Sequence, residues 1–197
     1  MKQLIVPESS ADASVLVVDD ERDVADVYAL RLSDEFETRT AYSGGAALDS
    51  LDDDVDVVLL DRHMPKVSGN DVLEEIRACD VECRVIMLTA VDPDFDIIEM
   101  PFDDYLCKPV QKTDLVAAID QQLTARRYDE RLSDYLKATS KLALLEGEKK
   151  VESLEANEKV AALEQRATRI RAEMDEALAS FDDIDAAFKE IGRHPGN

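Results

Sequence analysis

Apolar residues along this chain follow two rhythms. As far as about Leu123, short β-branched runs alternate with stretches whose apolar positions recur at helical spacing; beyond it only the helical rhythm remains. The runs cover Val15–Asp19, Phe36–Ala41, Val55–Asp61, Arg84–Thr89 and Asp104–Cys107. Near-continuous apolar runs of this length predict strands covered on both faces, as in a parallel sheet. Between them the spacing predicts helices. The first carries Val24, Val27, Tyr28 and Leu32 on one face, and the second spans about Gly45 to Leu51. The third runs from Asn70 to Ala78 with Val72, Leu73 and Ile76 inward. A fourth, weak stretch spans Phe95–Met100 between Pro93 and Pro101, and a fifth opens at Thr113 as N-cap with Asp114 in its first turn. Alternation of this kind implies right-handed crossovers and helices on both faces of the sheet.

The second rhythm is dominated by Ala, Glu, Leu, Lys and Arg, and Gly147 is the only glycine between Gly69 and Gly192. Leu163, Ala167, Ile170, Met174, Ala177, Phe181, Ile184, Phe188 and Ile191 form a stripe whose spacing alternates between four and three. A lone helix cannot leave such a face in water. It can be covered by the preceding helix, folded back near Gly147 or Asn157, or by the same helix of a second chain in a coiled-coil homodimer. Phe181 and Phe188 are bulky for a parallel two-stranded seam and tilt the choice toward the hairpin. The segment Gly192–Asn197 breaks the helix. The domains expected are therefore a mobile segment at 1–13, an α/β domain at 14–124 and a helical output or interaction region at 125–197.

Four of the apolar runs stop at residues with chemistry. Val15 to Val18 leads into Asp19-Asp20-Glu21, Leu59-Leu60 into Asp61-Arg62-His63-Met64-Pro65, Met87-Leu88 into Thr89, and Tyr105 to Cys107 into Lys108-Pro109. Ligands of open α/β sheets bind at the carboxyl ends of the strands. The fold would gather three carboxylates, a hydroxyl and an ammonium there. Taken singly these residues are ordinary: an Asp pair in an acidic chain, a capping Thr, a surface Lys, a Met-Pro turn. Their order and their place at strand ends make them one device.

In these stretches residues 14–124 resemble the receiver domain of two-component response regulators. The resemblance implies a flavodoxin-like, doubly wound five-stranded parallel sheet in the order 2-1-3-4-5. It implies that Asp61 accepts a phosphoryl group from the phosphohistidine of a sensor histidine kinase. The domain then promotes only its own phosphorylation and dephosphorylation, not turnover of a substrate. It further implies a Mg2+ ion held directly by Asp20 and Asp61, by Asp19 mostly through water and by the main-chain carbonyl of His63. Crowded carboxylates raise one another's pKa, and a hard divalent cation that needs few protein oxygens relieves the conflict. Lys108 would pair with the phosphoryl charge and Thr89 would hydrogen-bond it, with Thr89 and Tyr105 as the switch pair. The side chains of His63 and Val91 stand where the family tunes phosphoryl hydrolysis, and Gly69 where it opens the third helix. The interval from Thr89 to Lys108 is shorter than the family's, at the cost of the fourth helix, and Pro101-Phe102 stands where the family has Gly-Ala.

The helical region resembles the HalX domain that follows receivers in halophilic archaea. Tyr135-Leu136, the run from Leu142 to Leu154 and the Leu163 stripe carry that likeness.

Charge narrows the choice of partners. The net charge is −22; residues 1–124 hold −19 of it (10 basic against 29 acidic), and residues 125–197 hold −3 (13 against 16). The front domain should repel nucleic acid and anionic membranes. The basic Lys149, Lys150, Arg166, Arg169 and Arg171 are interleaved with Glu and read as a solvated face. With 27 Asp against 18 Glu and only 10 Lys, the profile suits a protein working in strong salt. Cys79, Cys83 and Cys107 lack metal spacing and are expected as reduced thiols. No signal-peptide core or transmembrane-length run is present, so a cytoplasmic protein is expected.

The reading is a two-component response regulator acting on a downstream protein. One rival is a DNA-binding transcriptional regulator with an atypical helical output domain. The other is a Mg2+-dependent phosphohydrolase; those enzymes carry a second Asp two residues past the nucleophile, where this chain has His63.

Overall fold

Five of the apolar runs pair as parallel strands: β1 (Ser14–Val18), β2 (Glu37–Ala41), β3 (Val57–Asp61), β4 (Arg84–Thr89) and β5 (Asp104–Cys107). They form one sheet in the order β2-β1-β3-β4-β5, the expected topology. This computed structural model describes residues 13–79, 81–90, 95–148 and 157–190, the side chains of 96 and 179–190 excepted. Outside it lie the expected N-terminal segment save for Ala13, Val91, Pro93, Lys149, Lys150, the end of the run from Leu142 to Leu154, Ile191 and the helix break at Gly192–Asn197. The side chains of Phe181, Ile184 and Phe188 lie outside it as well.

β1, β3 and β5 are wholly buried, and β4 is buried beyond Arg84. β2, with Glu37, Thr38, Arg39 and Thr40 partly or fully exposed, takes the edge. Alternate residues of the central strands feed two cores. On one face Val15, Val17, Val57, Leu59, Ile86 and Leu88 meet α1 (Arg22–Leu32) and the start of α4 (Lys112–Glu148). On the other, Leu16, Val18, Val58, Leu60, Val85 and Met87 meet α2 (Gly44–Asp49) and α3 (Gly69–Ala78). Each fully buried aliphatic side chain contributes about 1.5–3 kcal/mol.

Four expectations change. The buried face of α1 is Ala25, Tyr28, Ala29 and Leu32, whereas Val27 is 44% exposed; two alanines let the helix lie close to the sheet and turn Val27 outward. β1, β2 and β3 begin or end one or two residues away from the apolar runs that mark them. The fifth predicted helix, α4, starts at Lys112, and the Gln111 carbonyl accepts from Leu115 N at 3.1 Å. Thr113 thus sits inside the first turn and is not the cap. Lys112 is held in place by Asp34 and Glu35, at 3.5 and 3.1 Å. The reduced fourth helix is a 3-10 turn, Phe95–Glu99.

The chain divides after Leu123, and Thr124–Phe188 forms a second compact unit. It contains the rest of α4 and all but the last two residues of α5 (Glu158–Glu190). Asn157 opens α5, its Oδ1 accepting from Lys159 N at 3.0 Å. Arg131 pairs with Glu173 at 3.0 Å and Asp134 with Arg166 at 2.8 Å. Position rises on one helix as it falls on the other, so the two pack antiparallel. Ala138, Val160, Ala167, Ile170 and Met174 are buried. Of the described part of the stripe, Ala167, Ile170 and Met174 are buried and Leu163 and Ala177 half-buried, as a hairpin requires. No helix among the described residues is long and apolar enough to cross a membrane.

Candidate functional site

The sheet register brings the chemistry together. Val18 pairs with Leu60, Asp61 with Leu88 and Thr89 with Cys107. Asp19 follows β1, Asp61 ends β3, Thr89 ends β4 and Lys108 follows β5, all at the carboxyl edge. Asp19, Asp61 and Thr89 are 1%, 5% and 0% exposed.

Local bonds fix each group. Asp19 N donates to the Ala41 carbonyl at 3.1 Å, which anchors the end of β1 to β2. Its Oδ1 accepts from Glu21 N at 2.9 Å and so shapes the entry to α1. Lys108 N donates to the Thr89 carbonyl at 2.6 Å. Lys108 Nζ then donates to Asp19 Oδ2 at 2.6 Å and to Asp61 Oδ1 at 2.7 Å. The loop after Asp61 is closed against it. Arg62 N donates to the Leu88 carbonyl at 2.9 Å, and Gly69 N to the Arg62 carbonyl at 3.0 Å. A Cβ on Gly69 would collide with the main-chain carbonyl of Asp61 and come within 2.8 Å of Arg62 Cα. Only glycine lets α3 begin so near the strand end. Ser68 and Asp71 then cap that helix reciprocally.

Carboxylate oxygens of Asp19, Asp20 and Asp61 lie within 4.8 Å of one another, and no other such group occurs among the described residues. Burial pushes the Asp61 carboxyl above its ordinary value; Lys108 opposes this, and the charges of Asp19 and Asp20 reinforce it. For Lys108, burial alone would disfavour the ammonium, but its bonds to Asp19 and Asp61 outweigh that and raise its pKa. One ammonium offsets one of three carboxylates. The two charges left over, on hard oxygen donors, fit a divalent cation of the Mg2+ type.

The structure brings Asp19, Asp20, Asp61 and Lys108 into one cluster, with Thr89 at the end of the adjacent strand. It leaves the exposed His63 side chain outside. Tyr105 is buried, its ring 5.6 Å from that of Phe102. Sequence reasoning missed Arg77, Arg84 and Asp103, which pair near the start of β4. Their only signal was the shortened crossover ahead of β5.

Comparison with known proteins identifies the class. The response regulator receiver domain family matches residues 15–120. The chain belongs to this family, whose members are signalling phosphoacceptor domains of two-component systems and bind Mg2+ at an acidic pocket. Behind the receiver it carries a HalX domain, matched over residues 124–191.

A Haloferax volcanii protein named "Putative transcriptional regulator" is 45% identical over 172 residues, which is 87% of this chain and 29% of that protein. The chain thus spans less than a third of that relative's length. Among solved structures, a response regulator receiver domain from Clostridium thermocellum is 34% identical, with a TM-score of 0.53, covering 58% of this chain and 96% of that one. The Francisella response regulator 1452 receiver domain is 26% identical, with a TM-score of 0.53, covering 58% and 99%.

Proposed function

We propose that this chain receives a phosphoryl group on Asp61 from a sensor histidine kinase, in a Mg2+-dependent step, and signals through its helical region to a downstream protein. The observation that carries the reading is the burial of Asp61 at the end of the central strand, bonded to Lys108 and within reach of Asp19 and Asp20. Asp20 and Asp61, with Asp19 behind them and the His63 carbonyl, would hold the metal. Bound there, Mg2+ would supply positive charge against the carboxylates and the incoming phosphoryl oxygens. An Asp61 carboxylate oxygen attacks phosphorus, the bond to the donor imidazole breaks, and the imidazole leaves with the electron pair. Lys108 stands ready to pair with the new charge and Thr89 to donate to it. Their work is positioning and charge stabilisation. Movement of Thr89 toward the phosphoryl group lets the Tyr105 ring shift, which biases a two-state domain.

A second reading, DNA-binding transcriptional regulation, draws support from the name of the Haloferax volcanii relative. Against it, Arg131, Arg166 and Arg169 of the helical unit are paired with Glu173, Asp134 and Glu173. Homodimerisation through this region stays compatible with either reading.

The test offers radiolabelled acetyl phosphate to the full chain. Asp20→Ala should stay folded by circular dichroism and lose Mg2+-dependent labelling at least tenfold. Normal labelling of Asp20→Ala at the same Mg2+ concentration would overturn the coordination scheme. Salt-dependent retention of an operator fragment by the phosphorylated chain would shift the reading to DNA binding.

A further inference from the structure

The three carboxylates of the acidic cluster are not held alike. Asp19 and Asp61 are both bonded to Lys108. The half-buried Asp20 carboxylate accepts no hydrogen bond and pairs with no cation among the described residues. Its place is therefore set by the main chain of the turn between β1 and α1. Glu21 stands at the N-cap of α1 without a side-chain bond to the helix. Two ties, one on each side of Asp20, join that turn to the end of β2. Before it, Asp19 N donates to the Ala41 carbonyl at 3.1 Å. After it, the Arg22 guanidinium lies over the ring of Tyr42, the residue next to Ala41, 4.3 Å from the centroid.

The ring is itself fixed. Tyr42 packs against the core shared by α1 and the sheet. Its hydroxyl donates to Asp26 Oδ1 at 2.8 Å and accepts from Thr40 Oγ1 at 3.0 Å. Asp26 lies about one helical turn past Arg22, so Tyr42 meets α1 at two points on one side. Arg22 is exposed, yet in a domain rich in carboxylates it pairs with none among the described residues. A guanidinium over an aromatic face is attracted by the ring and keeps its donors in water. The ring, not an ion pair, holds this side chain.

We propose that Arg22 and Tyr42 are a positioning pair: their stack fixes the far side of the Asp20 turn and so presents the Asp20 carboxylate to a divalent cation. The inference rests on the reading of Asp20 as a metal ligand and names what holds that ligand in place. Without the stack the turn keeps its tie at Asp19 alone. The carboxylate then samples more positions, and that freedom is lost when the cation binds. The charge of Arg22 acts the other way. It is a cation two residues from a ligand, so its field alone would weaken metal binding, and removing it would strengthen binding. Positioning and field therefore differ in sign.

Amide shifts of the isotope-labelled full chain, followed by NMR during titration with MgCl2, give the affinity for the metal alone. Molar NaCl held constant throughout screens the field of the exposed arginine. Tyr42→Leu keeps every charge and should bind Mg2+ about fivefold more weakly. Tyr42→Phe keeps the ring face and should stay within about twofold of the wild type. Arg22→Met should also weaken binding, and it stands in if Tyr42→Leu does not fold. Combining Arg22→Met with Tyr42→Leu should cost no more than either alone, since each removes the same contact. Wild-type affinity in Tyr42→Leu overturns the positioning role. So does tighter binding by Arg22→Met, or a Tyr42→Phe as weak as Tyr42→Leu. Asp20→Ala separates this inference from the reading beneath it. If Asp20→Ala binds Mg2+ as the wild type does, the coordination scheme fails. If it loses the metal while Tyr42→Leu does not weaken, this inference alone fails.

Discussion

Charged side chains do opposite work in the two units of this chain. At the acidic site of the receiver unit they are buried and face one another: Lys108 bridges Asp19 and Asp61, with side chains 16%, 1% and 8% exposed. In the helical unit the pairs Arg131–Glu173 and Arg166–Asp134 sit at the surface, between 35% and 54% exposed. Breaking one partner of a buried pair costs about 3–5 kcal/mol, because the other charge is left behind; an exposed pair is worth about 0–1 kcal/mol. The buried cluster is therefore a poor stabiliser and a good reactive site. The surface pairs set helix register and little else. Two glycines show a parallel contrast: a Cβ on Gly69 would meet the Asp61 main chain, while one on Gly147 would meet nothing within 4 Å.

Removing the shared ammonium should produce the largest effect. Lys108→Met leaves Asp19 and Asp61 buried without a cation and should destabilise the receiver unit by about 3 kcal/mol in urea unfolding followed by circular dichroism. The linked pH dependence has a definite sign. Because the folded-state pKa of Lys108 is raised above 10.5, its stabilisation is fully present below that value and is lost as pH rises through the raised one. Lys108→Met should lack this alkaline loss. An unchanged midpoint in the variant would mean that the buried cluster behaves like a surface pair.

Gly69→Ala comes next. Its Cβ meets main chain, which cannot move aside cheaply, so about 1–3 kcal/mol of receiver stability should go, together with the placement of Asp61. The same measurement on Gly147→Ala should show the reverse, a gain of about 0.5–1 kcal/mol in the helical unit, since alanine favours helix and meets no neighbour there. Equal effects at the two glycines would erase the contrast. Arg166→Ala should be the smallest change, under about 1 kcal/mol, and smaller still in molar salt. A loss as large as that from Lys108→Met would show the surface pairs to be structural.

Long apolar runs made much of the fold legible in the sequence. The carboxyl-edge cluster follows from where those runs stop, so Asp19, Asp61, Thr89 and Lys108 stand out from the residue pattern; the strand order comes from the receiver resemblance. Small or distant contributors do not. Ala25 and Ala29 carry too little apolar signal to reveal that α1 turns its face away from Val27. Arg77 and Asp103 look like surface charges because they lie 26 positions apart. In the helical unit the periodicity of Leu163 to Ala177 marks which face is covered but not by what. The register comes from pairs 32 and 42 positions apart, Asp134–Arg166 and Arg131–Glu173, which no local pattern announces.

The central claim is that one carboxylate, Asp61, takes the phosphoryl group. Trapping the acyl phosphate with borohydride after labelling with Mg2+ and acetyl phosphate, then sequencing peptides by mass spectrometry, locates the modified residue. Reduction is expected at Asp61 alone, and none in Asp61→Asn. Modification at Asp19 or Asp20, or labelling that persists in Asp61→Asn, would contradict the claim.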